Sequence, residues 1–207
     1  PLQGMHDSVA AVLDMDKTLI DPSGCASLGQ CLKKMKEVSL SDVGIKVGGL
    51  KDRGPTYCMN IVTEPTHDIT VFVIPKGNSI PLHDHPGMLV ASKLLYGELE
   101  VESYSEAHNG LYKSTKEIRT HEEDAWYLTP TEGNLHQFKA KSTCVVLDLL
   151  MPPYNEGRGR SCTFYKKKQA EGLFWQLVAF PSWWTPDQAD CVYNGDSYYK
   201  GFKPTVR

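Results

Sequence analysis

The chain has 207 residues, of which 41% are apolar and 23% charged. That is ordinary globular composition on a chain long enough to bury a core, and it excludes a disordered or fibrous polymer. Its 22 basic and 25 acidic side chains leave a formal charge of -3, so no cationic footprint for nucleic acid is present.

The opening stretch, PLQGMHDSVAAVLDMDKTLI, carries Asp7, Asp14 and Asp16 and does not read as a secretory signal. No apolar run nears the ~20 residues that cross a bilayer, so no membrane partner is expected. Six cysteines form no C-x-x-C pair, and Cys58 and Cys144 sit inside apolar runs. A reduced intracellular chain with core thiols is the expectation, as a monomer in the cytoplasm or nucleus.

Residues 1–50 read as a helical segment. In SLGQCLKKMKEV, Leu28, Cys31, Leu32 and Met35 recur at i, i+3, i+4 and i+7, one face of an amphipathic helix. Lys33, Lys34 and Lys36 fall mostly opposite, as a solvated face. Asp21 to Gly24 form a turn before it, and VGIKVGG closes the helical part.

From residue 55 the pattern changes to short runs rich in β-branched and aromatic residues: YCMNIVT, ITVFVI, LVASKLLYG, ELEVESY, LYKSTKEIRT, AWYL, TCVVLDLLM and SCTFYK. Pro and Gly breakers separate them, and Asn109-Gly110 is a two-residue hairpin signal. Glu98, Glu100 and Glu102 alternate with Leu99 and Val101, which suggests a half-buried strand. The fold class is therefore mainly β, an antiparallel barrel or sandwich. LFWQLVAF fits either a strand or a short helix, and the aromatic tail after it is expected to wrap the core. We expect a single domain over 1–207, with a helical segment over 1–50 and barrel plus C-terminal wrap over 55–207.

Three of the seven histidines stand in distinctive surroundings. His83 and His85 form H-x-H in GNSIPLHDHPGM; on an extended strand both imidazoles point to one face and can share a metal. Alone, H-x-H is a common surface pattern. Here Gly77 precedes it by five intervening residues, Gly97 follows, and Pro130, Gly133 and His136 come later, spacing that resembles the two cupin motifs. His136 in GNLHQF then completes three nitrogen ligands. The acid usual after H-x-H is absent, because no Asp or Glu lies between Pro86 and Tyr96. Three neutral imidazoles leave a divalent ion its full charge and favour an anionic ligand such as a thiolate. Zinc hydrolysis remains open from ligands alone. His6, His67, His108 and His121 read as surface residues, and Trp126, Trp175, Trp183 and Trp184 as packing residues. Lys166, Lys167 and Lys168 read as a solvated strand edge.

IPLHDHPGM followed by KLLYG, then GNLHQF, LDLLMPPY and SCTFY, resembles the thiol dioxygenases of the cysteamine dioxygenase and plant cysteine oxidase type, in order and approximate spacing. The likeness runs from about Gly77 to Tyr165, with weaker likeness in SDVGI and YKGFKP. It implies a cupin barrel (a double-stranded β-helix), a mononuclear Fe(2+), and addition of both atoms of O2 to a thiol. The implied substrates are cysteamine or proteins and peptides with an N-terminal Cys, and the implied setting is oxygen sensing through the N-degron pathway.

By that resemblance His83, His85 and His136 are the metal ligands. Asp148, inside the apolar run VVLDLLM, matches an acid near the active site; from the residues alone it reads equally as a buried acid satisfied by backbone donors. Its expected role is to orient a ligand or the substrate amine. Tyr154 matches a residue whose phenol is expected over the metal, and alone it reads as a packing aromatic after two prolines. Cys162 matches a pocket cysteine that in some members crosslinks to a Tyr two positions on. Here that position is Phe164, and Tyr165 faces away on a strand, so no such crosslink is expected. Two other readings stand beside this one: a zinc or manganese cupin isomerase or hydrolase, and a non-catalytic cupin binding module.

Overall fold

The computed structural model describes residues 2–4, 26–170, 172–182 and 191–193. The turn at Asp21 to Gly24, His6, Trp183, Trp184 and the YKGFKP motif lie outside the described residues.

Helix α1 spans Ala26–Glu37. Leu28, Cys31 and Met35, the spacing read from the sequence, are its buried positions, whereas Lys33 and Lys36 are exposed. Each fully buried side chain of that size contributes about 1.5–3 kcal/mol, so packing rather than propensity holds this helix. Its C-terminal end is fixed by Lys93, whose buried Nζ donates to the carbonyls of Lys36 at 2.6 Å and Val38 at 2.7 Å. A cation on the last carbonyls also suits the helix dipole.

Twelve strands follow: β1 Thr56–Thr63, β2 Asp68–Ile74, β3 Ser79–His83, β4 Leu89–Tyr96, β5 Glu98–His108, β6 Leu111–Thr120, β7 Trp126–Leu128, β8 Leu135–Ala140, β9 Cys144–Met151, β10 Tyr165–Gln169, β11 Phe174–Ala179 and β12 Cys191–Tyr193. LFWQLVAF therefore forms a strand. Strand β5 pairs with β6, β4 with β7, β3 with β8 and β2 with β9, all antiparallel. That nested pairing is one long hairpin ribbon rolled into a helix, the double-stranded β-helix. Its tip is the turn at Asn109 and Gly110, both at positive φ, as a two-residue hairpin requires.

The strands lie in two six-stranded sheets, ordered β12-β1-β2-β9-β4-β7 and β10-β11-β6-β5-β8-β3. The second sheet curls until Phe164, just before β10, bridges to His83 at the end of β3. In the first sheet, Ile69, Val71, Ala91, Val145, Leu147 and Leu149 turn outward and pack against α1 and the segment after it. That cover explains why all eight residues of β9 are buried.

Sequence and structure differ at three places. His67 is 2% exposed rather than a surface residue, its ring 3.1 Å from Thr66 Oγ1 in the turn between β1 and β2. Glu102 was expected on a solvated face, but the curl of the second sheet covers it, and it accepts hydrogen bonds from Tyr104, Gln137 and Lys167. Lys167, on the edge strand, is thereby an ion-pair partner, whereas Lys166 and Lys168 are exposed as expected. Finally, β10 starts at Tyr165, so Cys162 lies in the irregular segment before it.

Candidate metal centre

Strand β3 brings in the first candidate ligand, His83. Pro81 has no N–H to give to the ladder, and the register against β8 shifts between Ile80 and His83. The carbonyl of Pro81 turns to the side and takes the Nδ1–H of His83 at 2.8 Å. A carbonyl only accepts, so His83 is protonated on Nδ1 and its Nε2 is bare.

The second candidate ligand is not on the strand. β3 ends at His83, and His85 opens a tight turn in which Met88 N–H donates to the His85 carbonyl and Gly87 sits at φ 63. The pair therefore converges through a Pro-Gly turn rather than through strand alternation. Asn134 holds this turn on both sides: its amide donates to the carbonyls of His85 at 2.7 Å and Thr129 at 3.0 Å, and its oxygen accepts from His85 N–H at 3.2 Å.

The third candidate ligand, His136, sits on β8 directly opposite His83 in register. The ring centroids are 4.8 Å apart for His83 with His85 and with His136, and 4.9 Å for His85 with His136. All three are buried, and one ring nitrogen from each lies within 4.8 Å of the others. His85 Nε2 and His136 Nε2 approach to 3.1 Å.

Tyr154 sets the tautomer of His85. Its hydroxyl donates to the Asp84 carbonyl at 2.6 Å and lies 2.8 Å from His85 Nδ1. The phenol hydrogen is committed to the carbonyl, so its oxygen accepts from Nδ1–H and leaves Nε2 bare. The phenol ring also stacks on His85 at 5.4 Å. Burial, chiefly, holds the pKa of all three imidazoles below the usual histidine value. Neutral rings, two of them with the Nε2 lone pair left free by a partner on Nδ1, are what a cation needs, so these residues fit a divalent metal ion.

A cavity of about 260 Å³ opens beside the three rings. Asp148, Tyr154, Cys162 and Phe164 line it with the histidines, so the structure gathers all six sequence-selected residues at one place. Asp148 is 4% exposed; Ser92 donates to it, but its Oδ1 has no partner. Burial pushes its carboxyl up to about 7. Cys162 is an exposed residue whose thiol nonetheless faces the cavity beside the Tyr154 hydroxyl, and enclosure there pushes the thiol up to about 12. That shift favours the thiol form over the thiolate. Tyr165 turns its hydroxyl to Asp84 Oδ2 at 2.8 Å, away from that cavity.

Two supporting residues were not visible in advance. Asn134 works through backbone groups, and its only mark was its place in GNLHQF. Asp84, between His83 and His85, accepts Thr163 N–H at 2.8 Å as well as the Tyr165 hydroxyl. It ties the Cys162 segment to the His85 turn.

Comparison with known proteins gives the family. A family model described as PCO_ADO matches residues 35–179. A protein of Dictyostelium discoideum named probable 2-aminoethanethiol dioxygenase is 33% identical over 193 residues, 84% of each chain. Plant cysteine oxidase 2 of Arabidopsis thaliana is 31% identical over 80% of this chain and 66% of its own length. Among solved structures, an RmlC-like cupin from Shewanella frigidimarina aligns over 52% of this chain and 86% of its own, at TM-score 0.40 and 14% identity. The chain belongs to the PCO_ADO family, the thiol dioxygenases of the cysteamine dioxygenase and plant cysteine oxidase type.

Proposed function

We propose that the chain is an iron(II)-dependent dioxygenase that converts the thiol of an N-terminal cysteine, or of cysteamine, to a sulfinic acid. The balance is R–SH + O2 → R–SO2H, with both oxygen atoms on sulfur. The observation that carries this reading is the union of a carboxylate-free three-imidazole cluster with one cavity that holds a buried acid, one oxygen of which has no hydrogen-bond partner.

Iron(II), held by His83, His85 and His136, would supply the redox chemistry that lets O2 react with a sulfur centre. The chain's own residues do the rest. Three neutral donors add no negative charge, so the site favours an anionic thiolate over a neutral ligand. Asp148 offers Oδ1 to the substrate ammonium, and that cation offsets the cost of burying the carboxylate. Tyr154 and the Pro81 carbonyl keep His85 and His83 in the ligating tautomer. Holding thiol and amine together in a confined site supplies proximity to the second reactant.

Oxidation of an N-terminal Cys turns a neutral thiol into an acid at a protein terminus, a change that a degradation receptor can discriminate. A rate that follows O2 makes the enzyme an oxygen sensor in the N-degron pathway. We place it as a monomer in the cytoplasm or nucleus, where thiols stay reduced.

The test combines oxygen uptake with mass spectrometry. Aerobic incubation of a Cys-initiating peptide and of cysteamine should yield a gain of two oxygen atoms, absent under nitrogen and absent with His136→Ala. Zinc or manganese in the purified protein with no oxygen uptake would point to the isomerase or hydrolase reading. A protein that takes up no metal and no oxygen would point to the binding module.

A further inference from the structure

The inner face of the first sheet carries more acid than one aminothiol uses. Ser92, Asp148, Thr70 and Asn60 stand in one row across β4, β9, β2 and β1, each in register with the next. Thr70 donates to Asn60 Oδ1 at 3.1 Å, and Ser92 donates to Asp148. One step along the same face, Asp68 on β2 is in register with Leu150 on β9. Asp68 and Asp148 are therefore diagonal neighbours, a relation that spans roughly 7–8 Å between backbones.

Both acids line the cavity of the three histidines. Among the described residues, Asp68 Oδ1 and Asp148 Oδ1 are the buried side-chain oxygens left without a hydrogen-bond partner. A buried acceptor without a partner costs free energy, and the bound state is where such a cost is recovered. Burial pushes Asp68 up to about 6, against one lowering contact from the Glu64 backbone. Asp148 lies close enough to Tyr154 for its charge to raise the phenol, which places it at the metal end. Asp68 is half-buried and so stands nearer solvent.

Charge decides what the pair accepts. An aminothiol brings one ammonium, which Asp148 meets, and the open Oδ1 of Asp68 is left to take a second cationic group. We propose that Asp68 is a specificity residue that binds a second cationic group, so that the cavity prefers Cys-initiating peptides with Lys or Arg in the second position. This rests on the reading of the cavity as an N-terminal cysteine site. In that arrangement the α-ammonium meets Asp148, and the side chain of the second residue extends along the face to Asp68. A Glu in the second position meets the same carboxylate with like charge.

The experiment compares kcat/KM for otherwise identical pentapeptides beginning Cys-Lys, Cys-Gly and Cys-Glu, with wild type and Asp68→Asn. Anaerobic calorimetry of the same peptides on the metal-loaded protein gives a second readout that needs no turnover. Wild type should favour Lys over Glu by about tenfold or more, the size of one charge-assisted hydrogen bond. Asp68→Asn should bring that ratio to within about threefold, in rate and in affinity alike. Equal values for the three peptides in wild type overturn the proposal, even if the variant does not fold. A variant that keeps the wild-type ratio, as it would if both acids shared a single ammonium, overturns it as well. If cysteamine and Cys-Gly gain oxygen without a Lys preference, only this inference fails. If no thiol gains oxygen, the reading beneath it fails too.

Discussion

The two ends of the barrel are built from the same strands and do different work. At one end Ile74, Leu94, Leu99, Ala140, Cys144 and Val146 pack into a closed apolar cluster. Phe72 and Phe138 form the boundary, belonging to that cluster and lining the cavity, and beyond them Thr70, His136 and Asp148 take the inward positions on β2, β8 and β9. Strand β9 shows the change within one face: Cys144 and Val146 fill the closed end, Asp148 and Leu150 line the open one. Exchange of apolar for polar side chains at alternate positions, with no change of strand path, turns a core into a site. The closed end supplies the stability that lets the open end keep a hollow and two acids with one unsatisfied oxygen each.

That division can be broken in a definite order. Leu99→Ala removes a buried side chain from the closed end and should cost about 2–5 kcal/mol of unfolding free energy. Chemical denaturation measures it, and the protein that remains folded should keep its metal stoichiometry. A Leu99→Ala variant that loses metal without losing stability would erase the distinction between the ends. Asn134→Ala should act the other way. The His85 turn loses its clamp, and metal affinity should fall about 10–100-fold, as outer-shell losses do. Competitive chelator titration reads this. Tyr154→Phe, which removes only the hydroxyl beside His85 Nδ1, should lower metal affinity by less than Asn134→Ala, about tenfold or below.

The smallest effect concerns pH. The carboxyl of Asp148 is raised from its ordinary value to about 7, so its proton is held more tightly in the folded than in the unfolded chain. Its contribution to stability is complete below about pH 4 and is lost as pH rises to about 7. The melting temperature of the metal-free protein, relative to Asp148→Asn, should therefore be higher at pH 5 than at pH 8. A difference that grows with pH would reverse the sign and refute a buried acid with an unsatisfied oxygen.

Much of this was legible in the residues. Alternation and Pro-Gly breakers marked the strands, because a half-buried pleated strand leaves a period of two. The histidines stood out because metal geometry demands a short spacing and a later return. Other features were hidden for physical reasons. Glu102 and His67 are buried by elements far along the chain or by a turn's own closure, and no local pattern reports that. Asn134 and Asp84 act on backbone groups, which every residue carries. His85 lies beyond its strand because Pro86 and Gly87 favour a turn, yet its ring still reaches the cluster.

The central claim is that His83, His85 and His136 hold one metal ion without a carboxylate. Elemental analysis of protein purified without added metal, beside the three single His→Ala variants, tests it most directly. The account predicts about one iron per wild-type chain and under about a tenth of that in each folded variant. Full metal content in any of the three variants, or folded wild type that takes up no metal, would contradict it.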